Sequence, residues 1–250
     1  MRNLRLTIQY IGTRYRGWQS QRGGGTIQDS IEAALGAVLG EKIRITGAGR
    51  TDAGVHAREQ VANFQTGTRR EPGLIRRGAN ALLPADIRIL RVSEAEIGFH
   101  ACRDAREKHY AYRFAVGEVV SPFEEPFVYS VRGSVDLPAM EKATRKFLGS
   151  HDFTSFCASG CRARDRVRHV KVSRVESENG GGIVIFRVSA NGFLQHMVRN
   201  LAGTLIQVGR GRLDPERIPG ILEARNRCLA GPCAPAKGLT LEGIDYGAGG

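Results

Sequence analysis

Apolar and polar positions alternate from the start of the chain. Leu4, Leu6, Ile8 and Tyr10 fall on one side, and Asn3, Arg5, Thr7 and Gln9 on the other. That period of two predicts a strand over Arg2–Tyr10. The period then changes. Beyond a loop carrying Gly12, Gly17 and Gly23–Gly25, the residues Ile27, Ile31, Leu35, Val38 and Leu39 recur at helical spacing. Thr26 and Asp29 stand three apart, as in a capping box, and Gly40 supplies a stop. Short strands are predicted at Lys42–Thr46 and Gln60–Phe64, with a Gly-rich segment, 47–58, between them. A helix over Gly73–Leu82 and a strand over Ile87–Val92 complete this half.

The second half repeats the rhythm. Tyr110, Tyr112 and Phe114 alternate with polar or small residues, predicting a strand over His109–Ala115. A helix is expected over Pro138–Leu148, closed by Gly149. Val167–Val175 and Gly182–Ala190 read as a hairpin around Asn179-Gly180. A helix from Phe193 to Val208 should carry Leu194, Val198, Leu201, Leu205 and Val208 on one face. His196, Arg199, Asn200, Gly203 and Gln207 would lie on the other. Asp214-Pro215 opens a further helix, and Leu239–Tyr246 is the last strand. Strands and helices in similar proportion in each half predict an α/β chain of two lobes.

The 250 residues suffice for a buried core. The first ten show no apolar core of a secretory signal, and no apolar run reaches membrane-spanning length. A cytoplasmic protein is expected. A net charge of +12 is shared evenly between the halves, which points to a polyanionic partner rather than to a basic tail. Six of the 37 basic residues are Lys. Arg suits phosphates and bases, because its planar fork donates twice and stacks. Five cysteines, an odd number, argue against a disulfide framework. Cys157/Cys161 and Cys228/Cys233 have zinc-ligand spacing but no finger or ribbon around them, so free thiols and no metal are expected.

The densest feature is Gly47-Ala48-Gly49-Arg50-Thr51-Asp52-Ala53-Gly54-Val55-His56-Ala57. It lacks the Lys-Ser/Thr of a phosphate-binding loop and the glycine spacing of a dinucleotide site. It frames one carboxylate between two potential cations, Arg50 and His56. Taken alone, an Asx-turn in which Asp52 bonds nearby backbone amides accounts for it better. A second basic feature is Arg162, Arg164, Arg166 and Arg168, at every other position. Were this stretch extended, the four would share one face and form a track for phosphates.

GRTDAGVHA resembles the signature of the tRNA pseudouridine synthase A family. Tyr15-Arg16-Gly17-Trp18-Gln19, Phe99-His100-Ala101, His109-Tyr110-Ala111-Tyr112, Asp152-Phe153-Thr154-Ser155-Phe156 and Phe193-Leu194-Gln195-His196-Met197-Val198-Arg199-Asn200 agree in order. The resemblance spans the chain. It implies the pseudouridine synthase fold, two similar lobes around a central mixed, mostly antiparallel sheet. Residues 1–105 would carry the aspartate loop, and 106–250 would complete the cleft. It implies Asp52 as the catalytic residue, Arg50 as the group that extrudes and holds the target base, Tyr110 as the residue that touches that base, and Arg199 as partner of the carboxylate. It also implies a homodimer, no cofactor, and uridines in the tRNA anticodon arm as substrate. From the residues alone, a noncatalytic RNA-binding module stays open. A two-metal nuclease lacks the clustered carboxylates it would need.

Overall fold

The computed structural model describes residues 1–117, 119–178 and 182–247. The chain divides into two compact units: residues 1–106 with the stretch from Leu241, and residues 107–240.

In the first unit β1 (Arg2–Tyr10) lies between β3 (His56–Thr66) and β4 (Ile87–Ala95), antiparallel to both. β10 (Leu239–Asp245) follows β3 in strand order, and Arg58 on β3 pairs with Glu242 on it. The alternation in β1 holds, since Leu4, Leu6 and Ile8 are fully buried. Asn3, on the other face, is also buried. Its Nδ2 donates to the carbonyls of Glu96 and Phe99, and its Oδ1 accepts from Asn63. The 96–104 segment thus satisfies polar groups on a face that alternation alone would give to water.

The helix α1 (Ile27–Leu39) begins as its capping box requires: Thr26 Oγ1 accepts from Asp29 N, and the Asp29 carboxylate takes the Thr26 N–H. It buries Ile27, Ile31 and Leu35. α2 (Pro72–Leu82) packs on α1 and β4 through Ile75 and Ala79. The strand expected over Lys42–Thr46 shrinks to β2 (Thr46–Gly47), which pairs with β3. Its alternation is real, with Ile43 and Ile45 buried. The Ile45 backbone, however, bonds the side chains of Gln28 and Glu32 on α1 rather than a neighbouring strand.

In the second unit β5 (Glu107–Val116), β9 (Ile183–Ala190), β8 (Val167–Glu178) and β7 (Gly149–Asp152) pair in that order, all antiparallel. β6 (Tyr129–Val131) adds to β5 in parallel. The α/β class and the mixed, mostly antiparallel pairing agree with expectation. The expected turn at Asn179-Gly180 lies outside the described residues; the strands flanking it are antiparallel partners.

Three helices follow a different course from the sequence pattern. α3 (Leu137–Arg145) stops before Leu148, and Gly149 opens β7 instead of merely closing a helix. α4 (Met197–Gly209) starts four residues later than expected, because His196 takes φ +62°, which ends any backward extension. Its second face is not solvated: Asn200, Gly203 and Thr204 are as buried as Leu201 and Leu205. Past Asp214, a 3-10 turn over Pro215–Arg217 leads into α5 (Ile218–Ala224).

Candidate active site

The loop holding Asp52 joins β2 to β3 and is gripped along its length. Ala48 N bonds Val61 O at 2.8 Å, and Gln60 Nε2 donates to Gly49 O at 2.9 Å. The Tyr10 hydroxyl meets Thr51 Oγ1 at 2.8 Å, and Trp18 N donates to Thr51 O at 3.0 Å. Val55 N bonds Asp52 O at 3.1 Å, closing a turn over the carboxylate residue. Thr51, Val55 and His56 are buried, whereas Asp52 is half-buried and Arg50 exposed. Burial pushes the Tyr10 phenol up to about 12, so it stays neutral.

The first Gly-rich loop supplies much of that grip. A β-carbon on Gly17 would lie 2.8 Å from Thr51 O and 3.1 Å from Ala53 N, so only glycine lets the two backbones approach this closely. The Gly12 N–H reaches His56 Nδ1 at 3.2 Å. Arg50 Nε donates to Gln19 Oε1 at 3.1 Å.

Tyr110 and Arg199 belong to the second unit. Tyr110 sits on β5 opposite Val188, nearly buried, with the Phe193 ring edge-on at 5.1 Å between centroids. Arg199, half-buried in the first turn of α4, donates from Nε to Ala234 O at 2.8 Å, while its own carbonyl accepts Ala234 N at 3.1 Å. Asn200 beside it donates to Phe156 O and accepts from Arg227. Burial pushes the Tyr112 hydroxyl upward, with the Arg199 charge opposing it.

The arginine run does not form the single-faced track. Residues 161–166 are irregular, with a bend at Arg164, and β8 begins only at Val167. Arg162 and Arg164 are exposed, whereas Arg166 and Arg168 are half-buried, and Arg168 folds back onto the Asp165 and Val167 carbonyls. All five cysteines are free thiols, and among the described residues no group of three or more His, Cys, Asp or Glu is placed to hold a metal. Sequence reasoning missed Gln60 and the Gln19–Gln28 pair behind Arg50. A buried glutamine leaves no mark on a hydrophobic period.

The sequence profile described as tRNA pseudouridine synthase matches residues 6–103 and 143–247. The chain belongs to this family. Among its relatives, tRNA pseudouridine synthase A of Pelobacter propionicus is 44% identical over 98% of the chain and 100% of that protein. That of Moorella thermoacetica is 44% identical over 97% and 99%, and that of Geobacter sulfurreducens 42% over 98% and 100%. Family membership decides against a noncatalytic RNA-binding module.

Proposed function

We propose that this pseudouridine synthase family member isomerises uridine to pseudouridine in the anticodon arm of tRNA, with Asp52 as the reacting carboxylate. The observation that carries the proposal is the Asp52 loop itself, a half-exposed carboxylate on a backbone fixed by buried partners. The reaction breaks the N1–C1′ bond and makes C5–C1′; a proton leaves C5 and one is taken up at N1. Nothing is oxidised, and no cofactor is called for. A carboxylate serves by attacking C1′ or by stabilising an electron-poor sugar, as in glycosidases. It must stay ionised for either role, and Arg199 supplies a charge that cannot be lost by deprotonation.

A uridine in a stem must leave the stack before its C1′ can be reached. Tyr110, backed by Phe193, offers a ring for the uracil, and Arg50 fills the space it vacates. The exposed Arg162 and Arg164 hold phosphates together with Arg166 and Arg168, now as an irregular basic loop. The homodimer and the cytoplasmic location belong to the same reading. Among the described residues no helix is long and apolar enough to cross a membrane. Light scattering with and without tRNA tests the dimer.

The deciding experiment is tritium release from 5-tritiated uridine in unmodified tRNA. C5 loses its hydrogen only when the new bond forms there. Release by the wild type, with none from folded Asp52→Ala, is expected. Release undiminished in Asp52→Ala would refute the assignment.

A further inference from the structure

Arg50 is exposed, yet its guanidinium is tied to a line of buried and half-buried amides. Behind the Arg50–Gln19 bond, Gln19 Nε2 donates to Gln28 Oε1 at 2.8 Å, and the same oxygen accepts Ser20 N at 2.9 Å. Gln28 is 3% exposed; its Nε2 donates to Glu32 Oε1 at 2.7 Å and to Ile45 O at 3.2 Å. Glu32 closes the line by accepting Ile45 N and Arg44, each at 3.0 Å.

The ends of this line force its direction. A guanidinium and a backbone N–H only donate; a carboxylate and a carbonyl only accept. Gln19 must therefore show its oxygen to Arg50 and its nitrogen to Gln28. Gln28 in turn shows its oxygen to Gln19 and Ser20 and its nitrogen to Glu32. Each amide has one workable orientation. The line runs from a cation on the Asp52 loop to a carboxylate on α1.

We propose that Gln19 and Gln28 are positioning residues for Arg50, holding its guanidinium in place before RNA arrives. The proposal rests on the reading of Arg50 as the group that fills the vacated base position. An unrestrained arginine would lose its side-chain freedom at the moment of extrusion; one already held loses less. Gln19 is the residue to change, since it is half-buried and lies between Arg50 and the buried Gln28.

The test compares two anticodon-arm RNAs, one with the target uridine paired and stacked, one with it mismatched and already unstacked. Extrusion is costly only in the first. On the paired RNA, Gln19→Leu and Gln19→Ala are expected to lower kcat/KM for tritium release by about fivefold to tenfold. On the mismatched RNA the loss should stay under about twofold. In an Arg50→Ala background the Gln19 substitutions should add nothing. Equal losses on both RNAs would mean that the Asp52 loop is distorted, and would overturn the proposal. Wild-type rates from the Gln19 variants, with Arg50→Ala defective on paired RNA only, would overturn it and leave the Arg50 reading standing. If Arg50→Ala itself makes no distinction between the RNAs, the Arg50 reading fails and the proposal with it.

Discussion

Replacing Gly17 with alanine tests whether the first Gly-rich loop sets the geometry of Asp52. Gly17 has φ +91°, and a β-carbon there would lie 2.8 Å from Thr51 O, 3.1 Å from Ala53 N and 3.2 Å from the Asp52 carbonyl carbon. All three are backbone atoms of the Asp52 loop, and Thr51 is held from both sides by Tyr10 and Trp18. No flexible side chain can give way. A left-handed backbone costs an L-residue about 1–2 kcal/mol. Overpacking adds about 1–3 kcal/mol, for a total near 2–5 kcal/mol. In a chain of this size that lowers Tm by about 4–20 °C. Because the displaced backbone is that of Asp52, kcat/KM should also fall by about tenfold or more in the folded protein. Gly40→Ala is the control: φ is +71° and nothing lies within 4 Å of the added carbon. It should lose only the backbone cost, about 1–2 kcal/mol, and keep the wild-type rate. Circular dichroism melts and tritium release at 25 °C measure both. A Gly17→Ala protein no less stable than Gly40→Ala, with an unchanged rate, would refute the reasoning.

Other outcomes follow from the same geometry. Burial would raise the Asp86 carboxyl, but the bonds from Tyr15 and Arg14 outweigh it and hold it below the usual range. A depressed folded value stabilises above the unfolded value, so the contribution is complete above about pH 5 and is lost as pH falls below about 3.9. Asp86→Asn should therefore lower Tm at pH 7 and match the wild type near pH 2; a pH-independent difference would count against this. Asn200→Ala leaves the Phe156 carbonyl and Arg227 without a buried partner, and chemical denaturation should show a loss of about 1–3 kcal/mol. Arg162→Glu with Arg164→Glu should weaken tRNA binding and flatten the slope of its salt dependence by about 0.7–0.9 for each phosphate no longer neutralised. Filter binding over a salt series would show it, and unchanged affinity would remove these residues from the interface.

How far the sequence could be read depended on what each residue bonds. β1 and the capping box of α1 were legible because their signals are local: a period of two in nine residues, and two side chains three apart. Lys42–Thr46 shows the limit. Its alternation correctly buries Ile43 and Ile45, but the partner that decides between strand and loop is a pair of α1 side chains far back in sequence. In α4 the stripe of Leu and Val leaves open whether the opposite face meets water or is buried; residues 231–234 lie against it, with Gly231 N bonded to Thr204 Oγ1 and Ala234 N to Arg199 O. Its start is set by the left-handed His196, which no periodicity reveals.

The Asp52 loop was found through its composition, but what holds it was not. Sequence order gives Arg50 and His56 similar claims as counter-charges, since each is within four residues of the carboxylate. In the folded chain the Gly12 N–H donates to His56 Nδ1, and the imidazole is a buried support of the loop. Tyr10, held neutral by burial, is another. These supports are buried, whereas Asp52 is half-buried and Arg50 exposed. That division suits the role proposed for Asp52, a carboxylate that RNA must reach while its backbone stays fixed. The Gln19–Gln28 line extends the same logic to Arg50, fixing a cation through amides that carry no charge of their own.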